Sequence, residues 1–314
     1  MKNKRFHIIK KLLALPICLM LFSCVKEDMS ECSRDIRVYF TLPAQGDAIN
    51  PADVDRMHLY VFSDNGYFVG EYRNDGIANF GSDYYINCSD LPPGNYRFIA
   101  WGGMDEISYS TSPVQFVKGE TTFDEALLVL NRSGNILSTS PHPLFYGDLP
   151  TVAVTDQTTQ RFDMPLTQIT NTVTIRTVGL PADADTYTFN ITDSNGAYGF
   201  DSSFASPSGA TFTYTVTCTK DGANQLHATL TVLRLSADRR TPQLQIYNQT
   251  ADTPLYPVGT QSGDLIGLIL KAYPQNNFDT THTYEIVLTF TADFKVTVAI
   301  NGWQVRDEGN TVIE

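Results

Sequence analysis

Hydrophobic and polar positions alternate by two along most of the chain, the period of a strand that keeps one face in a core. The last clear run is the most regular: Phe294, Val296, Val298 and Ile300 share one face, with Lys295, Thr297 and Ala299 on the other. Further runs of strand character lie at residues 36–40, 57–62, 96–100, 173–176, 211–216, 228–233 and 284–290. In the 57–62 run Met57, Leu59 and Val61 define one face, which predicts that His58 on the other is a surface histidine. Ser63-Asp64-Asn65-Gly66 then supplies a hairpin turn into Tyr67-Phe68-Val69. A second aromatic strand at 187–191 meets Ser194-Asn195-Gly196 before Ala197-Tyr198-Gly199-Phe200, and the repeated pattern suggests a duplicated domain. No long run follows the helical period. Many short strands with turn residues between them predict β-sandwiches. The Thr-, Gln- and Pro-rich stretch 148–162 reads as the passage between two of them, so the expected division is 35–158 and 159–314.

The beginning of the chain follows other rules. Lys2, Lys4, Arg5, Lys10 and Lys11 come first with no acid among them, and residues 12–22 are an apolar run. That order is a secretory leader, and the run is too short for the roughly 20 residues of a spanning helix. It closes on Leu21-Phe22-Ser23-Cys24, which resembles a bacterial lipobox, so residues 1–23 are expected to be removed and Cys24 acylated. Each buried methylene contributes about 0.8 kcal/mol and one chain binds only marginally, so durable attachment needs two or three acyl chains. Lys26, Glu27 and Asp28 follow at once. A lysine and two acids there resemble the signal that exports lipoproteins to the outer face of the outer membrane. Residues 24–34 are then a lipidated linker.

Charge narrows the partners. Loss of the leader's five basic residues leaves 17 of the 22 against 34 acidic ones. Such a surface repels phosphate backbones and anionic lipid, which argues against nucleic acid and against charge-driven membrane binding. The hydrophobic share of 42% is ample for real cores. With Cys24 acylated, Cys32, Cys88 and Cys218 remain, enough for one disulfide whose pairing the sequence leaves open. No CxxC or Cys/His cluster points to a metal, and no cofactor motif is present.

Catalytic patterns are missing as well. His58, His142, His227 and His282 stand in no HExxH arrangement, and there is no G-x-S-x-G or phosphate-cradling loop, so no catalytic residue is assigned and an enzyme is not expected. Trp101 follows a strongly apolar strand, which favours core packing over a sugar-binding rim. Trp303 could serve either purpose. Asp279-Thr280-Thr281 resembles an O-glycosylation acceptor, although a solvated loop explains it equally.

Several segments follow one another in a set order: Glu31-Cys32-Ser33 before Val38-Tyr39-Phe40, LYVFSDNGYFV at 59–69, LPPGNYRFIAWGG at 91–103 and HPLFYGDL at 142–149. PLTQITNTVTI at 165–175, ITDSNGAY at 191–198, VLRL at 232–235 and INGW at 300–303 complete them. In this order and spacing they resemble the FimB/Mfa-type fimbrial anchor and minor-subunit family of Bacteroidetes type V pili. Where family members often carry a cysteine before the LYVF-like strand, this chain has Arg56 and Met57, so the family's disulfide does not transfer.

The resemblance implies an all-β chain of two tandem transthyretin-like β-sandwich domains behind a lipoprotein signal peptide. It implies a fimbrial subunit on the outer membrane, at the base of a fimbria whose length it limits. A surface adhesin or glycan-binding lipoprotein, as a tip or stalk subunit, is the alternative; a hydrolase of surface glycans is a third. The implied partner is the major stalk pilin, joined by strand complementation. A donor strand must alternate and lie near a free end. Phe294, Val296, Val298 and Ile300 fit, with Trp303 and Val305 extending them beyond Gly302. The competing reading makes 294–300 the last strand of the chain's own second domain. Stalk subunits of this class lose their first strand after an arginine; Arg34 and Arg37 are present here, and a base subunit should keep the strand.

Overall fold

The computed structural model describes residues 34–43, 46–47, 49–180, 186–205, 210–220, 225–238, 240–291 and 295–305. Within them the chain is all-β apart from one short helix and a single 3-10 turn. The first half holds β1 (Asp35–Thr41), β2 (Met57–Ser63), β3 (Phe68–Asn74), β4 (Tyr85–Asn87), β5 (Gly94–Gly102) and β6 (Tyr109–Ser112). It continues with β7 (Leu127–Leu130), β8 (Ile136–Leu137), β9 (Phe145–Val154), β10 (Thr159–Pro165) and β11 (Thr167–Gln168). The second half holds β12 (Thr170–Val178), β13 (Thr186–Asp193), β14 (Ala197–Gly199), β15 (Phe212–Thr219), β16 (His227–Leu233) and β17 (Gln243–Asn248). It ends with β18 (Thr253–Tyr256), helix α1 (Leu265–Ala272), β19 (Thr283–Phe290), β20 (Val296–Ile300) and β21 (Trp303–Gln304).

A three-stranded sheet, β10-β1-β4, faces a five-stranded sheet, β11-β9-β5-β2-β3. Ile36, Val38 and Phe40 of β1 fill the space between them with Met57, Leu59, Val61, Phe98, Ala100 and Met164. Each such side chain contributes about 1.5–3 kcal/mol on full burial. The stretch 148–162, expected as a passage between domains, instead provides most of β9 and the start of β10. β9 pairs with β5, and β10 runs parallel to β1 in register from Asp35↔Thr159 to Thr41↔Pro165. Because the expected division at 158/159 precedes a strand that belongs with β1, we propose that the handover lies between Gln168 and Thr170.

The second half packs β16-β12-β19-β20-β21 against β18-β17-β13-β15-β8. Its core includes Val173, Ile175, Phe189, Ile191, Leu244, Ile286 and Leu288, and α1 adds Leu265, Leu268 and Ile269. The Asp264 side chain caps α1 by accepting from Gly267 N. A third layer joins the halves: β7 pairs with both β6 and β14, and β8 adds to the edge of β15.

That layer covers the second face of β2. Positions 57–62 are all buried, so alternation there does not separate core from solvent. His58 is 3% exposed and is not a surface residue. Its Nδ1 lies 2.9 Å from a Glu71 carboxylate oxygen and its Nε2 3.1 Å from one of Asp75, so both polar ring atoms are met.

The two Asn-Gly segments do different things. After β2, Gly66 takes φ +78° and β3 returns along β2 as a hairpin. After β13, by contrast, β14 pairs with β7, while β13 is flanked by β15 and β17. Asn195 there is fully buried, and its Nδ2 donates to the Tyr198 hydroxyl. The second segment is therefore a crossover into the joining layer rather than a repeat of the first hairpin.

Candidate partner-contact site

The C-terminal end of the second sandwich is built by one short turn. Asn301 and Gly302 take φ of +47° and +81°, the mirror-image turn that joins two strands by two residues. Asn301 fixes this turn to β19 as well: its N–H donates to Glu285 O at 2.8 Å and its Oδ1 accepts from Glu285 N at 2.7 Å. Gly302 therefore folds the chain back, and β21 pairs with β20 through Ile300↔Trp303 and Ala299↔Gln304. Val305 N adds a bond to Val298 O at 2.8 Å.

Of the donor candidates, Phe294 lies outside the described residues. Val296, Val298 and Ile300 sit on β20, paired with β19 and buried in the chain's own core, so the reading as last strand of the second domain holds for them. Trp303 and Val305 are placed differently. Trp303 is 58% exposed, its ring perpendicular to that of the exposed Tyr273 at 5.6 Å, and Val305 packs only partly against the core. Beside them a groove of about 480 Å³ runs between β20 and the 256–262 loop, lined by Tyr256, Gly259, Gln261, Leu268, Val298 and Val305. Gln261 Nε2 donates to Val296 O at 3.1 Å, so a side chain caps the edge of β20 beyond the reach of β21. The site presents backbone, an aromatic pair and an open groove. Such an arrangement suits binding.

The opposite end of the chain is closed by β1. This strand is central in its sheet, between β10 and β4. Arg37 lies within it, bonded to Asp35 at 2.7 Å and stacked 4.5 Å over the Tyr85 ring. Arg34 precedes the strand, and after Arg37 the next basic residue is Arg56. Cleavage after Arg34 would separate the linker from the body and leave β1 whole.

Segments quoted above from both halves converge on the joining layer, which explains their residue types. Tyr60, Phe62 and Trp101 from the first half meet Phe200 at ring distances of 5.0, 5.8 and 5.7 Å. Tyr198 donates to Ile169 O at 2.8 Å and accepts from Arg234 N at 2.7 Å. Asn171 Oδ1 accepts from Leu235 N, and its Nδ2 donates to Thr281 O. Polar side chains here satisfy backbone groups where strands change sheets. Trp101 is fully buried, as its sequence context predicts.

Cys24, Lys26, Glu27, Asp28 and Cys32 lie outside the described residues. Cys88 is fully buried, and burial pushes its thiol up to about 12. Among the described residues no three or more His, Cys, Asp or Glu side chains are grouped to hold a metal ion.

Two β-sandwiches joined by a shared layer, with the first strand buried in its own sheet, define the architecture. Residues 29–309 match the fimbrillin-A associated anchor proteins Mfa1 and Mfa2, and the chain belongs to that family. Among solved structures, the fimbrial anchor protein Mfa2 from Porphyromonas gingivalis is 22% identical, with a TM-score of 0.69 over 87% of this chain and 99% of that one. A protein proposed to bind polysaccharide, from Bacteroides thetaiotaomicron, is 23% identical with a TM-score of 0.70 over 88% and 99%. A proposed adhesin from the same species is 20% identical with a TM-score of 0.69 over 89% and 99%. These likenesses establish the shared fold. No curated protein matched the chain.

Proposed function

We propose that this chain is the lipid-anchored base subunit that holds a fimbria on the outer membrane and ends its growth. The observation that carries the reading is β1. Among the described residues β1 fills the central place between β10 and β4 with Ile36, Val38 and Phe40 in the core, which supports a subunit that donates a strand and does not accept one there. A donate-only subunit terminates a polymer. Acylated Cys24 would put that terminus at the membrane, with Lys26, Glu27 and Asp28 directing it to the outer face. The tail from Trp303 onward is then the donor to the stalk pilin.

In cells, Cys24→Ala should leave the protein unprocessed or soluble and release fimbriae into the medium, whereas the wild type takes up labelled fatty acid and keeps them. Fimbriae that stay cell-bound in the mutant would refute the base role.

One feature favours a second reading, a glycan-binding surface subunit. The exposed Tyr273–Trp303 pair borders a cleft of about 330 Å³ lined by Asp47, Gln275, Asn276, Asn277 and Asn301. Aromatic faces beside amides suit an uncharged sugar. On a glycan array, binding by the mature protein that disappears in Trp303→Ala decides for this reading; an array without binding removes it.

A further inference from the structure

Strand directions define how the chain takes tension. β1 and β10 run parallel, and β10 leads through β11 directly into β12 of the second half. Asp35, where the linker enters, is therefore at the end of the first sandwich remote from the second. In the second sandwich β19 runs parallel to β12, beginning at Thr172↔Thr283, and β20 returns antiparallel to it. Ile300 pairs with Ile286 midway along β19, and β21 turns back from there toward the far end. Asp35 thus lies at the end of the first sandwich remote from the second, while β21 runs from midway along the second sandwich toward that sandwich's far end.

We infer that the chain has a further function as a tension-bearing link, with its first strand, β1, loaded in shear. This rests on the base-subunit reading for the source of the load; the geometry does not depend on it. Ladder hydrogen bonds lie across the strand axis, so a pull along the axis strains all of them together, whereas a pull from the other end of the strand opens them one at a time. β1 is held on both sides over its length. Asp35 N donates to Thr158 O at 2.7 Å and Leu166 N to Thr41 O at 2.8 Å, while Cys88 N donates to Ile36 O at 2.8 Å and Phe40 N to Tyr84 O at 3.3 Å. Its alternate side chains Ile36, Val38 and Phe40 are fully buried and would have to be drawn through the core.

Just beyond β1, residues 46–47 tie the load to the second sandwich without routing it through β2. Asp47 N donates to Thr280 O at 2.9 Å, and Asp47 Oδ2 accepts from His282 N at 2.7 Å and Thr283 N at 2.8 Å, at the start of β19. Gly46 permits this approach: it takes φ +95°, and a Cβ there would fall 2.4 Å from Thr280 O. β19 is bonded to β20, and β20 to β21. The path from linker to tail thus crosses few elements.

Single-molecule pulling on the mature protein tests this, since forced unfolding reads the unfolding barrier rather than the equilibrium. With handles at the two chain ends, the first sandwich should rupture at a higher force than with the N-terminal handle moved to position 43, from which β1 is peeled. Asp47→Ala should lower the end-to-end rupture force by more than the small shift of the chain's single urea midpoint accounts for. Equal forces from the two attachment points, or early low-force release of β1 alone, would overturn the inference. An unchanged force in Asp47→Ala removes the 46–47 tie. Failure of the base-subunit reading would appear elsewhere, as fimbriae retained without this protein, with these forces as expected.

Discussion

Trp101→Ala should cost about 3–5 kcal/mol, the range for truncating a large buried aromatic residue. That is a large fraction of the roughly 5–15 kcal/mol that holds a typical domain. Trp101 is 0% exposed and meets Tyr146 at 5.1 Å, Phe200 at 5.7 Å and Tyr198 at 6.4 Å, so its removal empties the place where the two halves touch. Urea unfolding of the wild type should be a single transition, because the layer of β6, β7 and β14 shares its core with both sandwiches; the variant should unfold in two steps. Trp101→Phe provides the control. The indole N–H is buried with no partner among the described residues, and removing an unpaired donor offsets much of the lost volume. Its expected cost is within about 1 kcal/mol. A Trp101→Ala protein as stable as the wild type would show that the layer does not couple the halves.

The same layer explains where the sequence was legible. Strands with one face in a core and the other in water kept their alternation, and β12, β19 and β20 were readable for that reason. β2 is legible as a strand with His58 on the face opposite Met57, Leu59 and Val61, but His58 is buried rather than exposed because both faces are covered. Local turn chemistry was reliable only where the partner strand came next in sequence. Asn65-Gly66 closes a hairpin, whereas Asn195-Gly196 obeys contacts with residues some 70 positions earlier, in β7, which no local pattern encodes. Thr, Gln and Pro in 148–162 suggested a linker because polar residues dominate one face of β9 and β10; pairing with β5 and β1 overrides that preference. Helix α1 spans eight residues and is apolar through most of them, too short a segment for its period to stand out.

The contact site was legible in part. A regular terminal strand is the signature both of a donor and of an internal last strand, and nothing local separates them. The decisive residues are Asn301 and Gly302, whose pairing is a two-residue hairpin signal that sends Trp303 back along β20. Once that turn is recognised, 296–300 belongs to the core, and under the proposed reading a donor would have to begin after it.

Truncation after Asn301 should therefore leave a folded, lipidated protein that no longer retains fimbriae. The described part of the segment removed contributes little to the fold: Trp303 and Gln304 are exposed and pair with β20 at two positions, Trp303 touches only the exposed Tyr273 ring, and Val305 adds one backbone bond to Val298. Each such bond is worth about 0.5–1.5 kcal/mol, and β20 keeps its full pairing with β19. A donated strand, by contrast, draws its affinity from main-chain bonds along its whole length and from alternate side chains in the neighbour's pockets, so its loss should abolish retention rather than weaken it. Truncation after Val305 keeps the hairpin and removes only residues 306–314. Loss of retention in both variants, with unchanged circular dichroism and fatty-acid labelling, assigns donation to the tail. Loss only in the shorter protein moves the contact to Trp303 and the groove beside it. An unfolded shorter protein makes the hairpin part of the domain and leaves the longer variant to decide. Full retention by the protein ending at Asn301 removes the C-terminal end from the contact altogether.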